Sequence, residues 1–529
     1  MRLWHALALV TVLWFAMYVP YLGSHEIRGE EPRRILPART MLQNGDFVVP
    51  RVGGEIYSRK PPLINWSIAA AFAVTGDNVW SARWPSILWL LAFAFAAVIA
   101  LKDRFGIWRA TTVALFFLSC FGVLDKGRMA EIEAMYVAQI GIAFVLWLRW
   151  WTDGRRWLAY TIPWLFLGLG LLAKGPVHLL FFYPVVIATV WKAGRLRELF
   201  HPAHLLGIVL MVGVFAPWAY LNYQQVGSAE ETSGVWIQQF AARLGLHNVD
   251  IGGWLIRPVE MAKDFLPWTI PLIWAWLQLR GNSPRPTDDW DIAMWGSRFG
   301  LIFGFVMISL APKGEARYVM PVFPVAAVIL VDLLRRIEDA PRLQFDRWWR
   351  KSNAALAIAL PVVAVAAIWI VPFFGPSTPL VPALGAIGIC LLSVFLVKRF
   401  TMWPPLVHTC IVFAAAIFLA FTHVVSLERE HAFHRPHATE LLGHLDDPNR
   451  LLAFYDPENL RFLVYVSHPY VEAARISEMP ENPGYLAIKK EDLKLKKVEK
   501  YLRPFRTREL ADFHWEKKDF VLLKLDRLE

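Results

Sequence analysis

The sequence predicts a polytopic α-helical membrane protein that ends in a small α/β domain. Three observations lead there. Of 529 residues, 56% are hydrophobic and only 19% charged, where soluble domains average about 25% charged. Apolar stretches recur along most of the chain at lengths that suit a bilayer, which asks for about 20 residues per helix. After His423 the apolar density drops and short apolar runs alternate with Pro, Asp and Asn.

In order, the apolar stretches are 3–22, 79–101, 107–124, 133–149, 157–173, 176–191, 204–222, 267–280, 293–311, 318–334, 353–374, 377–397 and 404–426, thirteen in all. The first follows a single Arg2 and is longer than the ~7–15 residues of a signal-peptide core, so it reads as an uncleaved signal anchor. Segment 61–75 is apolar but short, and reads as an interfacial or re-entrant piece. The expected division is 1–426 as the transmembrane part and 427–529 as the α/β domain. Within the tail, Leu451–Tyr455, Phe462–Val466, Tyr485–Ile488 and Phe520–Leu525 read as strands, and Glu440–Leu445 as the end of a helix.

Lys and Arg set the orientation. With a cytoplasmic N-terminus, the inner connections are Lys102–Arg109, Arg149–Arg156, Lys192–Arg197, Arg280–Arg285, Arg335–Lys351 and Lys398–Arg399, all basic. The outer side then holds two long loops, 23–78 and 223–266, short connections around Asp125–Glu131, Lys174 and Lys313–Arg317, and the tail. Basic residues on that side run against the topogenic trend. Binding an anion such as a phosphate explains them; interfacial snorkelling is the plainer alternative for any one of them.

The +11 formal charge raises nucleic acid, but the cations sit in short clusters between apolar runs and no nucleic-acid motif is present, so none is expected as a partner. Cys120, Cys390 and Cys410 lie in apolar stretches and offer neither a disulfide framework nor metal-ligand spacing. No cofactor is called for, although a divalent metal is left open. His431, His434, His437 and His444 cluster after the last stretch, where Pro436 breaks helical spacing and weighs against a metal site. The loop 223–266, with Glu230, Glu231, Arg243, His247 and Asp250, is a candidate lid or a simple cover.

The first long loop holds the densest chemistry. Residues 28–66 carry the acid pair Glu30–Glu31, six arginines, one lysine and five prolines. Pro32 suits the first turn of a short helix over 32–43, which Pro37 interrupts; Gly45–Asp46 and Gly53–Gly54 read as turns. A carboxylate beside arginines at a membrane surface has the parts to take a proton from a nucleophile while cations hold a phosphate. A capped helix with surface salt bridges would look the same.

The order of these features resembles the membrane-embedded GT-C glycosyltransferases, in the branch of the lipid A aminoarabinose transferases and protein O-mannosyltransferases. The resemblance rests on Glu30-Glu31-Pro32-Arg33, Met41-Leu42-Gln43-Asn44-Gly45-Asp46, Val49-Pro50 and Tyr57-Ser58-Arg59-Lys60-Pro61-Pro62 before Trp66. It extends to Gly127-Arg128-Met129-Ala130-Glu131-Ile132-Glu133, to Leu172-Ala173-Lys174-Gly175-Pro176, and to Pro312–Pro321 with its Lys313, Arg317 and Tyr318. It covers most of residues 1–340 and says little about the rest.

It implies a GT-C fold and an enzyme of the inner membrane, multi-pass, with its site facing the periplasm. The donor would be a sugar on undecaprenyl or dolichyl phosphate, and the acceptor a lipid, glycan or protein. Inversion at the anomeric carbon is expected. Glu30 takes the place of the family's first acid, commonly Asp, with Glu31 as its rival; Glu133 is the second carboxylate, with Glu131 as its rival. Arg33, Lys60, Lys174, Lys313, Arg317 and Tyr318 are implied for the donor phosphate, and Tyr57, Arg59 and Arg128 are further site candidates. A flippase for lipid-linked sugars, or a non-catalytic scaffold served by the tail, are the alternatives.

Overall fold

The computed structural model describes residues 1–57, 60–227, 250–279, 288–338, 433–457, 460–515 and 518–528, with isolated positions between 351 and 417. The expected spans 353–374 and 377–397 therefore lie almost wholly outside the described residues and 404–426 largely so, and Arg59, Cys390, His431 and half of the loop 223–266, residues 228–249, lie outside them. The described chain divides into two compact units, Met1–Ser24 with Arg83–Glu430, and His25–Ala82 with His431–Glu529. The first long loop thus groups with the tail, not with the spanning helices that flank it.

The first unit is helical. Its elements are α1 (Leu3–Tyr18), most of α4 (Val79–Phe105), α5 (Ile107–Leu118), α6 (Phe121–Gly127), α7 (Ile132–Thr152), α8 (Arg156–Lys174), α9 (Leu179–Lys192), α10 (Pro202–Val226), α11 (Ile251–Asp264), α12 (Thr269–Gln278), α13 (Asp289–Leu310) and α14 (Phe323–Glu338). Six helices among the described residues are long and apolar enough to cross a membrane, or seven if the α5–α6 pair, bent by 64°, is one span. The other apolar stretches of the first 340 residues form shorter helices, α1 and α9 among them.

Helix packing follows from small residues. Gly296, Gly300 and Gly304 recur every four positions along α13 and so form one stripe. A Cβ on Gly296 would lie 2.8 Å from the Thr189 backbone nitrogen, one on Gly300 2.3 Å from Val185, and one on Gly304 3.0 Å from Phe181. The stripe brings the α13 and α9 backbones into direct contact, the usual basis of association where lipid removes the hydrophobic drive. Gly207 of α10 meets the Tyr160 carbonyl of α8 in the same way.

Charge collects in two groups. In one, Asp332 of α14 is fully buried and pairs with Arg298 at 3.3 Å, Arg335 at 3.0 Å and Arg336 at 2.8 Å. Arg104–Asp288, Arg109–Glu338, Arg149–Asp103, Arg156–Glu198 and Arg195–Asp289 extend it. These pairs join the connections that charge bias assigns to one side. The other group contains Glu133, Lys174 and Arg317.

The second unit joins the first loop to a five-stranded sheet. From the loop come α2 (Pro32–Asn44), a hairpin β1 (Arg51–Val52) and β2 (Glu55–Ile56), and α3 (Leu63–Thr75). The tail supplies α15 (His434–Gly443), β3 (Leu452–Tyr455), β4 (Tyr470–Ala473), β5 (Tyr485–Lys489), α16 (Lys496–Leu502), β6 (Phe505–Trp515) and β7 (Lys518–Arg527). The strand order is β4-β3-β5-β7-β6. β3 runs parallel to β4 and β5, and β7 antiparallel to β5 and β6. β3 and β5 are buried throughout, as their apolar runs require.

Two sequence expectations change here. Pro37 does not interrupt α2, which runs through it. Phe462–Val466 is not a strand; Arg461–Tyr465 is a 3-10 turn. Its carbonyls point instead at Arg39, which donates to Leu463 O at 2.8 Å, Val464 O at 3.0 Å and the Tyr470 hydroxyl at 2.9 Å, while pairing with Asp77 at 2.5 Å. Glu26 accepts from the backbone N–H groups of Phe433, His434 and Arg435 at 2.7–2.8 Å and so caps α15. The tip of the hairpin lies on β4, where a Cβ on Gly54 would come 2.6 Å from Ala474 N.

Two outcomes are expected. Gly300→Val forces a branched side chain into the α9 backbone and lowers stability by about 1–3 kcal/mol, read as earlier thermal aggregation in detergent; an unchanged transition would contradict the close packing. At β4, burial pushes the Glu472 carboxyl up to about 7, opposed by the Gly53 amide and by Arg39. The folded unit then binds the proton more tightly than the unfolded chain, so its stability falls as pH rises from about 4.5 toward 7. Protection factors at the hairpin, taken relative to the intrinsic exchange rate at each pH, should fall over that window, and Glu472→Gln should flatten the dependence.

Candidate active site

The acid pair lies in the second unit. Gly29 takes a positive φ of 60° and turns the chain into α2. Pro32 fills the first helical position and Gly45, at φ 72°, closes the far end with a bond to Met41 O. The two acids separate. Glu31 is fully buried and accepts from the Arg28 N–H at 3.0 Å. Glu30 keeps a third of its side chain exposed and meets Arg33 at 2.8 Å and Arg34 at 3.7 Å. Arg34, nearly buried, donates to the Tyr57 hydroxyl at 3.2 Å and lies over the Tyr57 ring. Asn65 of α3 holds the Arg34 carbonyl at 2.9 Å. Lys60 is half-buried just before α3.

The first unit gathers the later candidates. Glu133 stands in the first turn of α7, where the helix dipole favours an anion, and Lys174 is the last residue of α8, where it favours a cation. They pair at 3.0 Å with side chains only 11% and 15% exposed. Arg317, in the 3-10 turn Ala316–Val322, stands 3.7 Å from the same carboxylate and 2.7 Å from Glu315. The Tyr318 hydroxyl donates to Glu315 at 2.9 Å and its ring faces the Lys174 ammonium at 4.9 Å. Lys313, half-buried four residues before Arg317, has no ion-pair or hydrogen-bond partner among the described residues. Lys174 and Arg317 thus converge on the one carboxylate of Glu133.

Glu131 is fully buried, 3.4 Å from Lys126 and within electrostatic reach of Arg317. Arg128 is nearly buried and donates to the Met17 and Pro20 carbonyls, pinning the end of α1. Sequence reasoning passed over Glu315 and Tyr136, both of which touch the cluster. Tyr136 lies one helical turn beyond Glu133, a spacing that would have pointed to it. Among the described residues no group of three His, Cys, Asp or Glu is placed to hold a metal ion.

The family described as dolichyl-phosphate-mannose-protein mannosyltransferase matches residues 59–221. An uncharacterised protein of Aquifex aeolicus is 24% identical over 66% of this chain and 69% of its own length. An undecaprenyl phosphate-alpha-4-amino-4-deoxy-L-arabinose arabinosyl transferase of Pseudomonas paraeruginosa is 24% identical over 68% of this chain and 64% of its own. The first three such relatives are matched over 57–69% of their lengths. The crystal structure of ArnT from Cupriavidus metallidurans bound to undecaprenyl phosphate superposes with a TM-score of 0.68 at 18% identity, covering 98% of this chain and 97% of that one. Its apo form gives 0.65. The chain is a helical membrane protein that shares the fold of that structure.

Proposed function

We propose that the chain is a glycosyltransferase that moves a sugar from a polyprenyl-phosphate carrier to a lipid, glycan or protein acceptor at the periplasmic face of the inner membrane. The observation that carries this is the convergence of Lys174 and Arg317 on Glu133, with Lys313 four residues before Arg317, in a fold shared with a structure bound to undecaprenyl phosphate. Thirteen spans and a periplasmic α/β domain at 427–529 complete the reading. With an odd number of spans and a cytoplasmic N-terminus, charge bias puts the first loop and the tail outside.

The chemistry asks for two things. The acceptor oxygen attacks the anomeric carbon from the face opposite the phosphate. Its new C–O bond forms as the C–O bond to the phosphate breaks, and the electron pair leaves on the polyprenyl phosphate. Lys174, Arg317 and Lys313 are assigned to that developing charge, with Lys60 and Arg33 as further cations and Tyr318 as a hydrogen-bond donor. Glu30 is assigned to take the proton of an acceptor hydroxyl; its partial exposure favours it over Glu31, whose carboxylate is enclosed. An acceptor phosphate would need only orientation. Glu133 is assigned to hold the phosphate cations in place.

Lipids and glycans from a deletion strain, compared by mass spectrometry, identify the species that loses a sugar. In proteoliposomes supplied with polyprenyl-phosphate sugars, Glu30→Gln should lower turnover roughly 10²–10⁴-fold, the usual reach of a general base. Lys174→Met and Lys313→Met should weaken donor use by roughly tenfold or more, the scale of a charged hydrogen bond. Full activity in Glu30→Gln would remove that residue from its role. A deletion strain with unaltered lipids and glycans would sink the reading as a transferase.

A further inference from the structure

Lysine is a poor candidate for fixed placement. Its ammonium rides on four flexible carbons and loses much rotamer freedom when held. Lys174 is nonetheless bounded on three sides. Glu133 Oε1 stands 3.0 Å from Nζ. The Tyr318 ring faces it at 4.9 Å and the Tyr136 ring at 5.5 Å, measured to the ring centres. The two rings come from different elements, α7 and the 3-10 turn before α14, so neither moves with the lysine.

Tyr136 is also fixed from behind. It is 2% exposed. Its ring packs edge to face on His178 at 5.5 Å and 86°. His178 in turn bonds through Nδ1 to the carbonyl of Gly175 at 3.0 Å, and Gly175 follows Lys174 directly. Lys174, Tyr136, His178 and Gly175 therefore close a ring of contacts. Gly175 ends α8 at φ 83°, a conformation that other residues rarely adopt, so the backbone at Lys174 is set as well as its tip.

We propose that Tyr136 is a positioning residue for the Lys174 ammonium, forming with Tyr318 an aromatic cage that presents it to an anionic phosphate. An aromatic face attracts the cation through its quadrupole without taking up an N–H in a strong hydrogen bond. Glu133 engages one donor. The cage fixes the ammonium and leaves the other donors for phosphate oxygens, which a second carboxylate in the place of Tyr136 would not do. This rests on the assignment of Lys174 to the donor phosphate.

The test uses the full chain in detergent and in proteoliposomes. Tyr136→Leu removes the ring face and should raise the apparent KM for the polyprenyl-phosphate donor roughly five- to thirtyfold, with a smaller change in kcat. Tyr136→Phe keeps the face and should bring KM back to within about threefold. In a Lys174→Met background Tyr136→Leu should add little, because the two act through one contact. Fully additive losses, or a Phe variant as impaired as the Leu variant, would overturn the proposal.

A second measurement separates the cage from the function. The rate of reductive methylation at Lys174, followed by mass spectrometry, should rise in Tyr136→Leu and stay slow in Tyr136→Phe. No rise in the Leu variant would count against the cage. If the wild-type protein fails to bind undecaprenyl phosphate while the methylation pattern holds, the cage stands and the polyprenyl-phosphate reading falls.

Discussion

An ionised side chain at the rim of a bilayer has to bring its partner with it. Water is scarce there and an unpaired charge costs several kcal/mol. That constraint organises both charged groups of the helical unit. Around Asp332 three arginines answer a carboxylate with no exposure at all, and the acids of the neighbouring connections answer the remaining arginines. The group is close to neutral and has little left with which to bind. Around Glu133 the balance is different. Lys174 and Arg317 share the Glu133 carboxylate, and Glu315 takes one side of Arg317. The first arrangement closes a structure; the second gathers the cations assigned to the proposed donor phosphate.

The same physics shapes the loop and tail unit. Arg39 sits within it with five hydrogen bonds, two of them to consecutive carbonyls of a turn more than four hundred positions away. Those carbonyls would otherwise have invited a strand partner. Glu26 does the complementary work at the amide end of α15. The segment with the acid pair is thereby built on the same body as the sheet.

Helices were legible in the sequence because a spanning helix declares itself by length and apolarity alone. α4, α7, α8, α10 and α13 fall where the apolar stretches place them, and the grouping of connections by charge agrees with ion pairs such as Arg104–Asp288 and Arg109–Glu338. The stripe of glycines on α13 was equally present but has meaning only against its neighbour α9. Strands β3, β5 and β7 were legible from apolar runs, while β4, with Glu472 in the middle, was not. Phe462–Val466 misled because its apolarity serves packing around a 3-10 turn. Within the candidate site, the residue types and their order were readable. The separation of Glu30 from Glu31 was not, since it depends on which side of one helical start each side chain leaves. Tyr136 was missed for a simpler reason: a tyrosine inside an apolar helix carries no mark until a lysine from another helix is found over its face.

The joining of the first loop to the tail bears on how the protein is made. Residues 25–82 leave the ribosome early, and the strands and turn they pack against come from the last hundred positions. About 350 residues separate Ala82 from His431, so at about 5–20 residues per second the loop waits roughly 20–70 s for its partner. Throughout that interval Arg39 lacks the carbonyls of Leu463 and Val464, and the hairpin lacks β4. The unit that holds the acid pair is therefore the last part of the chain to mature. A ribosome that stops early releases a protein with many of its spanning helices in place and its acid-bearing segment unformed.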